Sequence, residues 1–245
     1  MIFLKLAHIS IITTSCVILF SFILFIPVFF PTEPPTVVML SFDITNEHNL
    51  PSWCIELSKI LVDHDVNSVI FLRGKTAEKF PECVTAFHGG VDIGSQTYSY
   101  VDLKNIVDYS LQLEEVERGK KAIDKVGNFD TKLFKAPYGS TDENIYSLLS
   151  RSGILADFSY ENQFNKFYKD KFIKFNSKSY HTTQIKSIIS EIKASEDQII
   201  LNYDNSIPVN EITKILIFLE SHNIIFASPS ELTGIDLTAR NRGMF

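Results

Sequence analysis

Residues 37–46 begin with an apolar run that turns polar at once, and they read Val37-Val38-Met39-Leu40-Ser41-Phe42-Asp43-Ile44-Thr45-Asn46. The apolar run is too short for a helix and predicts a buried strand that carries an acid at its carboxyl end. In folds with a parallel sheet, ligands and catalytic groups collect at that end of the strands. Asp43 is therefore the first candidate for a catalytic residue.

Strand patterns recur after Asp43 and alternate with helical patterns. The further predicted strands are 68–72, 91–94, 132–135, 154–158, 199–201 and 224–227, with 172–175 as a weak one. The predicted helices are 51–65, 76–87, 103–126, 141–153, 185–192 and 209–221. This alternation predicts an α/β domain with a parallel, barrel-like sheet over residues 36–235, followed by a loose tail over residues 236–245.

The first 35 residues differ from the rest of the chain. Residues 9–30 carry no charged side chain and are long enough to cross a bilayer. Lys5 precedes this run and Glu33 follows it, which predicts a cytoplasmic N-terminus and an extracytoplasmic domain. We favour a single-pass anchor over residues 1–30 to a cleaved signal peptide, because the run exceeds a usual signal-peptide core. The prolines of residues 31–35 predict a stiff spacer.

The length of the chain limits the number of domains, and its net charge limits the class of partner. The 245 residues are 45% hydrophobic, which is enough for one substantial core. The formal net charge is −6 and lysine and arginine do not cluster, so a nucleic-acid partner is not expected.

Cysteine positions leave one question open. Cys16 lies inside the predicted anchor, so Cys54 and Cys83 are the only pair in the exterior domain. Both lie in predicted helices, where a disulfide and two small buried thiols fit equally well.

Polar and aromatic residues follow five predicted strands. The stretches are Ser41-Phe42-Asp43-Ile44, Gly94-Ser95-Gln96-Thr97-Tyr98-Ser99-Tyr100, Lys135-Ala136-Pro137-Tyr138-Gly139, Ala156-Asp157-Phe158 and Leu201-Asn202-Tyr203-Asp204. Their order and spacing resemble the polysaccharide deacetylase family, the NodB-homology carbohydrate esterases, from about residue 36 to about residue 232. The resemblance implies a distorted (β/α) barrel whose active members use a divalent metal to hydrolyse an acetyl group on a glycan.

The resemblance also implies roles for five residues. Asp43 matches the general base, and Lys135 stands where an arginine steadies that base. Tyr138 matches the residue whose backbone N–H helps to hold the oxyanion. Asp157 approximately matches a family acid, and Tyr203 stands in place of a catalytic histidine. A phenol with an ordinary pKa of about 10 is a poor proton shuttle near neutrality, so we expect this catalytic set to be vestigial.

All three metal-ligand positions of the resemblance are changed. Ile44 replaces an acid, and Gln96 and Tyr100 replace two histidines. Zinc is bound by imidazole, thiolate or carboxylate groups, and not by an alkyl chain, an amide or a neutral phenol. Without a metal, water keeps a pKa near 15.7, and Asp43 alone cannot activate it. We therefore expect no metal cofactor and no hydrolysis by the family's route.

Two other functions stay open. A shifted set of donors would rebuild a site for a divalent metal such as zinc and leave a working carbohydrate de-N-acetylase. The candidate donors are Glu47, His48 and Asp92. The other possibility is a structural envelope protein without a ligand.

Aromatic rings lie at or beside the predicted strand ends, at Tyr98, Tyr100, Tyr138, Phe158 and Tyr203. Rings of this kind stack on sugar faces, and the neighbouring Asp43, Lys135 and Gln96 offer hydrogen bonds to hydroxyl groups. We hypothesise a groove that binds a glycan such as a cell-envelope polysaccharide, with Gln96, Tyr98, Tyr100 and Phe158 as binding residues. The competing interpretation is that the rings fill the vacated pocket as core.

Overall fold

The computed structural model describes residues 35–159, 173–174, 189–190, 192 and 199–240. Its strands are β1 (Thr36–Ile44), β2 (Ser68–Leu72), β3 (Val91–Ser95), β4 (Phe129–Thr131), β5 (Leu133–Phe134), β6 (Ala156–Asp157), β7 (Ile173–Lys174), β8 (Ile199–Asp204), β9 (Ile224–Phe226) and β10 (Thr238–Arg240). Its helices are α1 (Leu50–Asp63), α2 (Gly74–Lys79), α3 (Glu82–Thr85), α4 (Tyr109–Gly127), α5 (Glu143–Arg151), α6 (Val209–Glu220) and α7 (Pro229–Thr233).

The main sheet is built from parallel pairs in the order β7-β6-β5-β3-β2-β1-β8, and β9 pairs with the first residues of β1. Helices cross between these strands, so the domain is an α/β half-barrel, in agreement with the predicted class. The carboxyl ends of β1, β2, β3, β5 and β8 meet at one edge. We call these strand ends, with the residues that directly follow them, the mouth.

Side-chain alternation decides which polar groups reach the mouth. On β1, Leu40 and Phe42 pack with the helices in the larger core, whereas Met39 packs with Val69 and Ile200 in the barrel interior. Because successive side chains of a strand point to opposite faces, Asp43 shares the interior face with Met39. The interior residues of β8 are correspondingly the even-numbered ones.

Cys54 on α1 and Cys83 on α3 form a disulfide, with a Cα–Cα distance of 5.1 Å. Neither residue is exposed to solvent. This bond settles the choice that the sequence left open between a disulfide and two free thiols.

Several predictions lie outside the described residues. These are the anchor over residues 1–30, residues 31–34 of the spacer and most of the elements predicted at 172–175 and 185–192, although Ile173–Lys174 is a strand. Within the described ranges, no helix has both the length and the apolar character that a bilayer crossing requires.

Two predicted helices have other bounds. The helix predicted at 76–87 is the pair α2 and α3, because Pro81 has no backbone N–H to continue the first of them. The helix predicted at 103–126 begins only at Tyr109, where the side chain of Asp108 caps the N–H of Ser110.

The described range includes the first half of the tail predicted over residues 236–245. Residues 238–240 form β10, which pairs antiparallel with β4. Thr238 is also held by its side chain, since its hydroxyl accepts a hydrogen bond from the N–H of Ile93 at 3.2 Å. The expectation of a loose tail is therefore wrong for this segment, because the pattern of three residues is too short to reveal a strand.

Candidate functional site

Three of the predicted site residues come together at the mouth. The ammonium of Lys135 lies 2.6 Å from Oδ2 of Asp43, and the amide nitrogen of Gln96 donates to Oδ1 of Asp43 at 3.1 Å. Lys135 also donates to Oδ1 of Asn202 at 3.3 Å. The side chains of Lys135 and Asp43 are only 12% and 21% exposed, so water screens their attraction weakly. This ion pair fixes the orientation of the carboxylate.

The first metal-ligand position of the resemblance is occupied by a core residue. Ile44 continues β1, pairs in register with Leu72 and is 1% exposed. It packs with the helix-side core rather than pointing into the interior. An alkyl chain in this place offers no electron pair to a cation.

The other two positions are equally poor donors. Gln96 is 2% exposed, and its amide oxygen has no hydrogen-bond partner among the described residues. Burial and the nearby carboxylate of Asp43 raise the pKa of Tyr100, so its phenol stays protonated at neutral pH. Across the described ranges, no three His, Cys, Asp or Glu side chains lie close enough together to hold an ion. The residues at the mouth do not fit a divalent metal.

The shifted set of donors does not converge. Glu47 binds Lys79 at 2.6 Å and Arg73 at 2.7 Å, and these cations lower the pKa of its carboxyl, the hydrogen bond from Lys79 most. Asp92 lies near the amino end of β3, away from the mouth, where its carboxylate accepts hydrogen bonds from the N–H and hydroxyl of Ser230 at 2.8 Å. The combination of Glu47, His48 and Asp92 is therefore wrong as a metal site.

An aromatic pair lies beside the ion pair. The ring centroids of Tyr100 and Tyr138 are 5.4 Å apart, and Tyr138 is 69% exposed. Both residues have left-handed backbone conformations, with φ of 67° and 58°. Bulky residues rarely adopt this conformation, and it persists where the surrounding structure enforces it, often at functional sites.

Helix α4 holds the loop that carries Tyr100. The carboxylate of Glu115 accepts hydrogen bonds from the N–H groups of Tyr98 and Ser99, at 3.2 and 2.9 Å. The ring of Tyr98 stacks under the guanidinium of Arg118, 3.6 Å from its centroid, and its hydroxyl donates to Glu78 at 2.9 Å. Tyr98 thus packs against α2 and α4, and its role in glycan binding stays a prediction.

Two further predicted rings are core residues. Phe158 is 6% exposed and packs in the barrel interior, 5.2 Å from the ring of Phe71. Tyr203 is 2% exposed and packs on the helix side of the sheet, 6.1 Å from the ring of Phe42. The structure places both residues in the core, as the competing interpretation expects.

Asp157 also points away from the mouth. Its carboxylate accepts from the N–H of Ser159 at 3.1 Å and from the hydroxyl of the same residue. Burial, followed by the charge of Asp157, raises the pKa of Tyr146 on α5 to about 12. Asp157 therefore lies on the helix side of β6, with Ser159 and Tyr146 around its carboxylate.

Asn202 is a residue of the site that the sequence pattern does not reveal. Its side chain lies on β8 and accepts a hydrogen bond from Lys135, whereas the resemblance singles out the next residue, Tyr203, in place of the catalytic histidine. A shift of one residue moves a side chain to the other face of a sheet. Residues 199–201 are Ile-Ile-Leu and show no alternation, so no signal in this strand fixes which face each residue takes.

Half-barrel topology and an Asp43-centred mouth define the class of this protein. The chain matches the family model described as "Polysaccharide deacetylase" over residues 31–156, which is more than half of its length. The protein belongs to the polysaccharide deacetylase family. This membership confirms the resemblance read from the five strand ends.

Similarity to individual proteins is more distant. A peptidoglycan-N-acetylglucosamine deacetylase of Bacillus cereus is 29% identical over 85 residues, which are 34% of this chain and 30% of that protein. The alignment thus spans less than a third of this curated relative.

Solved structures share the fold. A family 4 carbohydrate esterase from Streptomyces lividans in complex with acetate has a TM-score of 0.59 at 18% identity, over 83% of this chain and 96% of its own. A putative polysaccharide deacetylase from Mycobacterium smegmatis gives 0.62 at 15% identity, over 89% and 98%. A CE4 family pseudoenzyme from Bacillus anthracis gives 0.57 at 14% identity, over 81% and 65%.

Proposed function

We propose that this protein is a membrane-anchored, extracytoplasmic member of the family that binds a cell-envelope glycan at the mouth and does not hydrolyse it. The observation that carries the proposal is the Tyr100–Tyr138 ring pair beside an Asp43 that has lost its metal donors. The two halves of the proposal, binding and inactivity, rest on different residues and are tested separately.

Inactivity is supported by the chemistry of the donor set. Ile44 is an alkyl group in the core, Gln96 is an amide already bonded to Asp43, and Tyr100 is a neutral phenol. Water that no metal activates keeps a pKa near 15.7, and a carboxylate base removes its proton too rarely for useful hydrolysis. Asn202 carries an amide at β8, and an amide does not ionise near neutral pH, so it cannot act as a general acid or base.

Glycan binding is supported by the arrangement around the ring pair. Exposed tyrosine rings present flat apolar faces that pack against the C–H faces of sugars. Beside them, Asp43, Lys135 and Asn202 supply acceptors and donors for hydroxyl groups. The Bacillus cereus relative is named for N-acetylglucosamine in peptidoglycan, and we propose the same class of glycan as the ligand here.

Two features support the proposed location. Residues 9–30 are the predicted anchor, and the positive-inside rule leaves the domain outside the cytoplasm. The disulfide between Cys54 and Cys83 is typical of proteins that fold in an oxidising compartment.

The binding half is tested by titration calorimetry with oligosaccharides of N-acetylglucosamine. We expect the parent to bind, and Tyr138→Ala to bind about tenfold more weakly, since stacking on one ring contributes about 1–1.5 kcal/mol. Tyr109→Ala removes a tyrosine that is 43% exposed on α4 and serves as the matched control. Absence of heat with the parent, or equal affinity of parent and Tyr138→Ala, would end the glycan proposal.

The inactive half is tested by acetate release from the same oligosaccharides with added zinc, cobalt or nickel. We expect no release above the rate without protein. Release that the parent supports and Asp43→Asn abolishes would restore the working deacetylase as the function.

A further inference from the structure

Two adjoining cavities lie along α4, outside the mouth. One has a volume of about 620 Å³ and the other about 480 Å³. Glu117, Lys121 and Arg151 line both, so the cavities form one groove, which we call the α4–α5 groove. Its length follows α4, whose 19 residues rise about 28 Å. A groove of this length suits an extended chain better than a single ion.

Part of the charge in this groove is internally neutralised. The ammonium of Lys120 lies 2.5 Å from Oδ2 of Asp124 and also bonds Asp130. Among the described residues, these carboxylates are its ion-pair partners, and they leave this lysine unavailable to a ligand.

The remaining charge is predominantly positive. Lys121, Lys125 and Arg151 are exposed, and none of them forms an ion pair with a described residue. Arg118 lines the smaller cavity and stacks on Tyr98. The carboxylates without an ion-pair partner in the described part of the groove are Glu114 and Glu117. Along this groove, the four cationic side chains without an ion-pair partner among the described residues outnumber the two carboxylates without one. The whole chain, in contrast, has a net charge of −6.

The spacing of the lysines also favours an anionic ligand. Lys121 and Lys125 are one helical turn apart, so their ammonium groups repel each other in the free protein. Arg151 at the end of α5 lines the same cavity as both lysines. An anion between these three side chains relieves the repulsion, and the planar guanidinium matches the geometry of phosphate and carboxylate oxygens.

We propose that the α4–α5 groove binds an anionic polymer through Lys121, Lys125 and Arg151, which contact its phosphate or carboxylate groups. This second site is independent of glycan binding at the mouth, since none of the strand-end residues Asp43, Gln96, Lys135 or Asn202 lines it. It would hold the domain on a charged polymer of the envelope while the mouth engages a neutral glycan.

The test uses the full chain in detergent micelles, with poly(glycerol phosphate) and poly-L-glutamate as probes. The triple variant K121A/K125A/R151A removes the three contacts. The matched control K59A/K75A/K104A removes the same charge from three exposed lysines elsewhere. Affinity is measured at 50 mM and 300 mM salt, and circular dichroism and urea unfolding verify that each variant is folded.

We expect the parent to bind at least one polymer, more weakly at high salt because ions screen exposed charges. The groove variant should bind about tenfold more weakly and the control within about twofold of the parent. A preference for one polymer would show which anionic group the groove recognises, and equal binding would show that it recognises negative charge in general. Both results support the proposed site. No binding by the parent at low salt, or equal losses in groove and control variants, would overturn the proposal.

Discussion

The ring of Tyr203 packs 6.1 Å from the ring of Phe42, on the face of the sheet that the helices cover. Its neighbour on β8, Asn202, reaches Lys135 on the opposite face. The buried hydroxyl of Tyr203 has no hydrogen-bond partner among the described residues. Tyr203 is thus a residue of the core, and its replacement reports on stability and not on the mouth.

Tyr203→Phe should lose less stability than the parent when the pH is raised into the alkaline range. Burial raises the pKa of Tyr203 to about 12, whereas a tyrosine in the unfolded chain titrates near 10. As the pH rises, the unfolded state releases the phenol proton first. The stability that the protonated phenol of Tyr203 contributes is therefore fully present below pH 10 and is lost as the pH rises from about 10 to about 12. At pH 11 this titration lowers the free energy of unfolding by about 1.4 kcal/mol.

Urea unfolding at pH 8 and pH 11 checks this prediction. The free energy of unfolding of Tyr203→Phe should fall by about 1.4 kcal/mol less than that of the parent between these two pH values. The exposed Tyr109→Phe should behave like the parent. An identical decline of Tyr203→Phe and the parent would contradict the proposed burial of the phenol.

Asp43 and Lys135 should be strongly coupled in stability. Lys135→Met leaves a carboxylate that is only 21% exposed without its cation, and we expect a loss of about 2–3 kcal/mol. Asp43→Asn should cost about 1–2 kcal/mol, and the double variant clearly less than the sum of both. Urea unfolding of the four proteins gives the coupling energy directly.

The pair formed by Lys214 and Glu211 is the matched comparison. Their side chains are 62% and 46% exposed, so the same cycle should give a coupling below about 0.5 kcal/mol. Equal coupling in the two pairs would mean that the protein does not shield the Asp43–Lys135 pair from water.

Restoring an acid at position 44 should unfold the domain rather than rebuild a metal site. Ile44→Asp places a carboxylate in a core position that is 1% exposed, and we expect a loss of at least about 4 kcal/mol. Ile44→Val keeps the position apolar and should cost about 1 kcal/mol. Unfolding in urea measures both variants.

The triple variant I44D/Q96H/Y100H tests the same point with metal. Because residue 44 faces the helices, we expect no zinc to remain after dialysis, as measured by elemental analysis. One zinc per folded chain would demonstrate that the end of β1 can turn toward the mouth.

The positions of the central parallel strands and of the central cluster were predictable from the sequence. The apolar runs that precede Asp43 and Asn202 are the cores of β1 and β8, and Ser68–Leu72 is β2 as predicted. Carboxyl ends of parallel strands converge, which is why Asp43, Gln96 and Lys135 were placed together correctly. Neither inference requires knowledge of which face a side chain takes.

Side-chain direction was not predictable in the same way. Tyr203 and Phe158 lie at strand ends, shortly after the apolar runs 199–201 and 154–156. A strand buried on both faces gives no alternating pattern that would show the direction of the next side chains. Tyr98 faces α4 because Arg118 and Glu115 contact it. From the sequence, these two residues are predicted to lie on a solvent-exposed face of that helix. These three side-chain directions share one cause, since tertiary contacts decide which face of the sheet or loop a side chain takes.

The disulfide should contribute several kilocalories per mole to stability. Cys54 and Cys83 are 29 residues apart, and closing a loop of that length in the unfolded chain is worth about 3–4 kcal/mol. We expect C54A/C83A to lose about this much, as measured by urea unfolding without reductant. With reductant, the parent should fall toward the variant, whereas the variant should not change. Cys16→Ala should respond to reductant as the parent does, because the bond joins the other two cysteines; an unchanged parent would contradict a stabilising role for the bond.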